Sequence, residues 1–133
     1  SAFLEADLLL FPSWIECSPL VLFEAAASHT PFLVTPVGNA AEIIAWTGGG
    51  ELLPGERCAD REGSVRADVA AGSQRLEALV ADAAGRRRMA DSAYRAWQAH
   101  FTWERIADQY ERLYRSLLDG EAIHDQFPAP PQL

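Results

Sequence analysis

Three short apolar runs closed by Pro or Gly constrain this chain most: "DLLLFP" at 7–12, "PFLVTP" at 31–36 and "GELLPG" at 50–55. Runs of this length, flanked by Asp, Pro or Gly, suit strands buried on both faces of a sheet. Between the first two lies "PLVLFEAAASH" and between the second and third "NAAEIIAW", both helix-compatible. Strand, helix, strand, helix, strand is the order of parallel βαβ units, so the fold class is α/β with a parallel sheet of about three strands.

After Gly55 the composition turns to Gly, Arg, Asp and Ala, which suggests an exposed loop through about residue 64. Helical spacing resumes over 65–83 with Val65, Val69, Leu76, Leu79 and Val80, and Gly85 is a candidate stop. Arg86, Arg87 and Arg88 form the one dense basic run, expected on a solvated face. Further on, Trp103, Ile106, Tyr110, Leu113 and Leu117 step by three and four, predicting one amphipathic helix whose aromatics serve packing. These elements form one domain over 1–119. Residues 120–133, with three prolines and no periodicity, are expected to be a loose tail.

At 133 residues and 49% hydrophobic, the chain can build one real core. Its 11 basic and 19 acidic residues give a net charge of -8, which argues against a nucleic-acid or anionic-membrane partner. Any phosphate ligand would need a local positive feature. Cys17 and Cys58 have no metal or redox spacing and make no disulfide scaffold, and His29, His100 and His124 are scattered. No structural metal is expected, and the setting that fits is cytoplasmic. No apolar stretch reaches the roughly 18 residues of a membrane-spanning helix, and the start lacks the basic region of a signal peptide.

The chemistry concentrates in "ECSPLVLFEA", 16–25, where Glu16 and Glu24 flank an apolar run. Ser18-Pro19 predicts a helix start, because Ser can accept from early N–H groups and Pro suits the first helical position. A helix beginning there starts at the carboxyl edge of a parallel sheet, where such folds bind ligands. Its free N–H groups at Leu20 and Val21 would attract an anion without any Lys or Arg. Glu16 falls in the loop before the helix, and Glu24 inside it with its side chain angled back toward the amino end. The apolar neighbours of Glu24 predict burial, and a buried carboxylate needs hydrogen-bond donors, such as the two of a vicinal diol. Three readings stay open at this level. Glu24 could meet an internal Arg or amide while Glu16 is solvated; the two could act as a glycosidase pair, which needs about 5 to 9 Å between carboxyls; or both could face a ligand.

The run "ADLLLFPSWIECSPLVLFEAAASHTPFLVTPVGNAAEI" closely resembles the donor-site stretch of family-4 retaining glycosyltransferases of the GT-B fold, including their Glu-x7-Glu element, here Glu16 and Glu24. "GGGELLPG" is similar to the family's final strand, and "GRRRMADSAYRAWQAHFTWERIADQYERLYRSLL" to its closing helices, so the resemblance spans about 5–118. It implies half of the Rossmann-like, carboxyl-terminal domain of a GT-B enzyme. It also implies that Glu24 grips the ribose of a nucleotide-diphosphate sugar and that Glu16, the catalytic candidate, lies beside the transferred sugar and diphosphate. Cys17, Ser18, Pro19, Leu20 and Val21 would offer backbone to sugar and distal phosphate, and Gly38 and Asn39 would approach from the next loop.

The sequence departs from the pattern at Cys17-Ser18-Pro19, where the family has Gly-Phe-Gly, and at Asn39, where it has a second Gly. The amino-terminal acceptor domain and the basic pair for the diphosphate have no counterpart. The implied activity is transfer of a sugar from the nucleotide-sugar donor, without cofactor or metal, to an acceptor hydroxyl on a glycan, lipid or small molecule, with retention. The fragment alone is not expected to turn over. The alternatives are a non-catalytic nucleotide-sugar-binding or interaction module, or another GT-B type such as a sugar-nucleotide epimerase or phosphorylase. The first strand would leave an unpaired edge in such a fragment, so edge-to-edge association into a homo-oligomer is a further expectation.

Overall fold

A computed structural model describes residues 2–120. The chain forms α1 (Ala2–Glu5), β1 (Leu9–Phe11), α2 (Val21–Ala27), β2 (Phe32–Val34), α3 (Ala40–Thr47), β3 (Gly50–Leu52), β4 (Gly55–Arg57), β5 (Val65–Ala67), α4 (Val69–Ala81) and α5 (Ala83–Ala96). A π-helical turn (Trp97–Phe101) and α6 (Trp103–Asp119) follow.

The three apolar runs form one parallel sheet in the order β1-β2-β3, with Leu10 opposite Leu33 and Leu33 opposite Glu51. Alternation along central β2 divides the core into two layers. Phe32 and Val34 pack with Leu22 and Ala25 of α2 and Ala40 and Ile43 of α3, whereas Leu33 packs with Leu53 and with Leu79 of α4. Every residue of β2 is buried, as a central parallel strand requires. Helix α5 packs against α2, α3, α4 and β3. Gly50 permits the closest strand contact, since a Cβ there would collide with the Phe32 carbonyl.

Four expectations change. Residues 55–64 are not all loop, and Val65 is not helical. Instead, β4 and β5 pair antiparallel, Glu56 opposite Arg66, as a hairpin added beside the sheet. Gly85 stops nothing. The helices divide at Asp82, whose carboxylate accepts the Gly85 N–H at 2.8 Å, and a Cβ on Gly85 would run into that carboxylate. In the basic run, Arg87 and Arg88 are exposed, but the Arg86 side chain is 14% exposed and donates to the Leu79 and Val80 carbonyls at the end of α4. A cation there neutralises the carbonyl end of a helix. Finally, α6 forms as expected but its stripe is largely bare: Trp103, Tyr110 and Leu117 are exposed, and only Ile106 and Leu113 are half-buried. The tail from 121 onward lies outside the described residues.

Candidate functional site

The loops after β1 and β2 leave the same edge of the parallel sheet, the carboxyl edge, and they lock together. The Asn39 N–H donates to the Cys17 carbonyl at 3.1 Å, and the Thr35 hydroxyl donates to the Ser13 carbonyl at 2.5 Å. Gly38, at φ +51°, sits so close to the first loop that a Cβ would lie 2.9 Å from the Glu16 carbonyl oxygen and closer still to that of Cys17. Only glycine satisfies both the left-handed backbone and the contact. Gly38 and Asn39 are therefore brought onto Cys17. The Asn39 side-chain oxygen is buried without a hydrogen-bond partner among the described residues.

Glu16 is half-buried, and its Oε1 accepts the Ser13 hydroxyl at 2.7 Å. That bond turns the carboxylate back over its own loop and leaves its other oxygen without a protein donor among the described residues. Cys17 and Ser18 are exposed beside it.

The helix entry differs from the expectation in one respect. Ser18 does not cap α2. The capping position is Leu20, with helical backbone angles and no side-chain hydrogen bond, while the buried Pro19 supplies the carbonyl that accepts from Leu22. Proline, by fixing its own φ, starts the turn without a side-chain cap. The N–H groups of Leu20 and Val21 have no acceptor among the described residues.

Glu24 is exposed, not buried. The buried side of α2 belongs to Leu22, Ala25 and Ala26, whereas Leu20, Phe23, Glu24 and Ala27 share another face. That face lines a cavity of about 380 Å³ whose other walls are Trp46, Trp97, Phe101, Trp103 and Ile106. Among the described residues Glu24 is the one charged group in the lining, and Glu16 is not part of it. Ring stacking builds the far wall, with Phe101 at 4.9 Å from Phe23 and 6.0 Å from Trp46 between ring centres. The π-helical turn makes this possible, because the extra residue in its wider turn rotates Phe101 toward α2 and α3. Apolar spacing carries no signal for such a turn.

Among the described residues no group of three or more His, Cys, Asp or Glu is placed to hold a metal ion. No helix among them is long and apolar enough to cross a membrane.

Comparison with known proteins agrees with this architecture. The family described as "Family 4 Glycosyltransferase in conflict systems" matches residues 1–110. A D-inositol 3-phosphate glycosyltransferase of Corynebacterium urealyticum is 32% identical over 97% of this chain and 28% of its own length. A glycogen synthase of Mycobacterium tuberculosis is 29% identical over 87% of this chain and 25% of its own length. Among solved structures, a sucrose-phosphate synthase from Thermosynechococcus elongatus superimposes with a TM-score of 0.75 at 28% identity, over 90% of this chain and 27% of that one. The chain thus spans about a quarter of the length of the relatives it matches. With its parallel sheet, joined edge loops and Glu16–Glu24 segment, the chain belongs to the family 4 glycosyltransferases of conflict systems, and its α/β fold matches part of a GT-B structure.

Proposed function

We propose that this chain contributes the sugar-side and ribose-side wall of the donor site in a retaining glycosyltransferase that moves a sugar from a nucleotide-diphosphate donor to an acceptor hydroxyl. The observation that carries this reading is the junction of the two edge loops through Asn39 and Cys17, beside the open N–H groups of Leu20 and Val21. Unbonded N–H groups at a helix start favour an anion, which a chain of this net charge would otherwise repel.

Each residue then has a task. Glu24, exposed and free to accept, takes the two ribose hydroxyls. The N–H groups of Leu20 and Val21 meet the distal phosphate, and the polar backbone of Cys17 and Ser18 meets the sugar, with Gly38 and Asn39 closing the second side. The carbonyl of Pro19 is committed to the helix and its nitrogen carries no proton, so it serves geometry alone. Glu16 lies beside the anomeric carbon, where its negative charge favours the cationic character that develops as the diphosphate departs. The bond from anomeric carbon to diphosphate oxygen breaks, the acceptor oxygen forms the new bond, and the acceptor proton leaves with the diphosphate. No cofactor and no metal enters this scheme.

The relatives' names involve compounds as different as D-inositol 3-phosphate, glycogen and sucrose phosphate. The acceptor class of this protein is a hydroxyl compound whose recognition lies outside these residues. Titration calorimetry with UDP-glucose, GDP-mannose and ADP-glucose tests the proposal. Weak binding of one donor is expected, with at least about tenfold loss in Glu24→Ala, the cost of a charge-assisted hydrogen-bond pair. Equal binding by the variant, or sugar transfer by this chain alone, contradicts it.

A further inference from the structure

The β4–β5 hairpin contributes nothing to the donor wall described above, yet it holds the loop that carries Glu16. The Val65 N–H donates to the Trp14 carbonyl at 2.8 Å. The Trp14 indole N–H donates to Cys58 Sγ at 3.4 Å, and the Arg61 guanidinium lies 5.5 Å from the centre of the Trp14 ring, within cation–π range. Both grips come from the short segment between the two strands. That segment is itself closed, by the Cys58 N–H to the Ser64 carbonyl at 3.0 Å and by the Ser64 hydroxyl to the Arg61 carbonyl at 2.6 Å. Ser64 and Val65 are buried, so the base of the clamp is fixed to the body of the domain.

Trp14 itself belongs to neither core cluster and is 45% exposed. Core packing does not account for a tryptophan there. Its neighbours in the chain are held in sequence: Ser13 by Thr35, Glu16 by Ser13, Cys17 by Asn39. Among the described residues the hairpin supplies the one restraint in this series that comes from outside the parallel sheet and its own loops.

We infer that Trp14 is a positioning residue for Glu16, with the hairpin acting as a clamp that fixes the 12–18 loop through it. The inference rests on the proposed role of Glu16 beside the transferred sugar. Preorganised carboxylates act through their placement, so a loop free to swing would keep nucleotide binding at Glu24 while losing discrimination at the sugar.

Amide hydrogen exchange followed by NMR on the chain tests the clamp. In Trp14→Ala the Asn39 amide, which reports the Cys17 contact, is expected to exchange about tenfold faster, with the Phe32 and Leu9 amides of the sheet unchanged. Trp14→Phe keeps a ring under Arg61 and is expected to restore most of that protection. Unchanged exchange at Asn39, or equal acceleration at every sheet amide, overturns the clamp. A second measurement compares UDP-glucose with UDP, GDP-mannose with GDP and ADP-glucose with ADP. Trp14→Ala is expected to shrink the affinity gained from the sugar at least threefold with nucleotide affinity kept, while Glu24→Ala lowers both. A sugar increment intact in Trp14→Ala overturns the positioning role. Absence of binding by the unaltered chain overturns the donor-site reading instead, and the exchange pattern separates the two failures.

Discussion

A side chain at position 38 has nowhere to go. Its Cβ would press into the carbonyls of Glu16 and Cys17, and its backbone would have to keep φ +51°. Gly38→Ala is therefore expected to destabilise the chain by about 2 kcal/mol, from backbone strain together with the loss of the Asn39–Cys17 contact. Urea denaturation measures the stability, and the Asn39 amide shift reports the contact; an alanine variant as stable as the parent contradicts the lock. Glu24 teaches a different lesson at the same scale. Its apolar neighbours in sequence predict burial, but burial on a helix follows positions three and four apart, and Leu22, Ala25 and Ala26 claim the inward side. The Glu16–Glu24 element was legible as a pattern; which way each carboxylate faces was not, because that depends on α3, on the π-helical turn and on a hydroxyl donated by Ser13.

Among the elements, the legible ones are those whose apolar runs are long or bounded by Pro and Gly. The parallel sheet stands at the apolar runs, α2 and α3 at the helix-compatible stretches between them, and α6 where the periodicity puts it. The hairpin escaped because its strands carry Glu56, Arg57 and Arg66 in place of an apolar run, so pairing is decided by backbone bonds and by contact with Trp14. The α4–α5 break escaped because an Asp acts as the end signal through its carboxylate. Asp82→Ala is expected to cost about 1 kcal/mol, the usual worth of an N-cap, read as a lower thermal midpoint. At the start of α6, the Glu104 carboxyl is held below its ordinary value by its own backbone N–H and by the Thr102 hydroxyl. A depressed folded-state value means that this stabilisation is present above the unfolded value and is lost as pH falls through the folded one. An NMR titration of Glu104 should thus show an acid-shifted midpoint that moves upward in Thr102→Val, and an unmoved midpoint contradicts the capping role.

At the scale of the whole molecule, the same chain that buries β2 completely leaves its margins apolar. Among the described residues nothing pairs with the outer edge of β1, where Leu10 is 42% exposed, and α6 presents Tyr110, Tyr114, Leu117 and Leu118 to solvent. Unpaired strand edges and wide apolar stripes associate, because each offers free backbone groups or unburied area to any partner of the same kind. Relatives several times as long have further chain available to cover such margins. For this chain studied alone, the expected partner is a second copy joined along β1. Sedimentation velocity should show concentration-dependent association. Leu10→Lys, placing a charge on the strand edge, should shift the population toward monomer, while Leu118→Glu should do less, since it leaves the edge intact. A monomer at every concentration, or equal effects of the two substitutions, contradicts edge pairing. The distinction matters for the site itself: β1 ends at Phe11, immediately before the loop of Ser13, Trp14 and Glu16, so whatever pairs with β1 fixes the strand from which the proposed catalytic carboxylate is suspended.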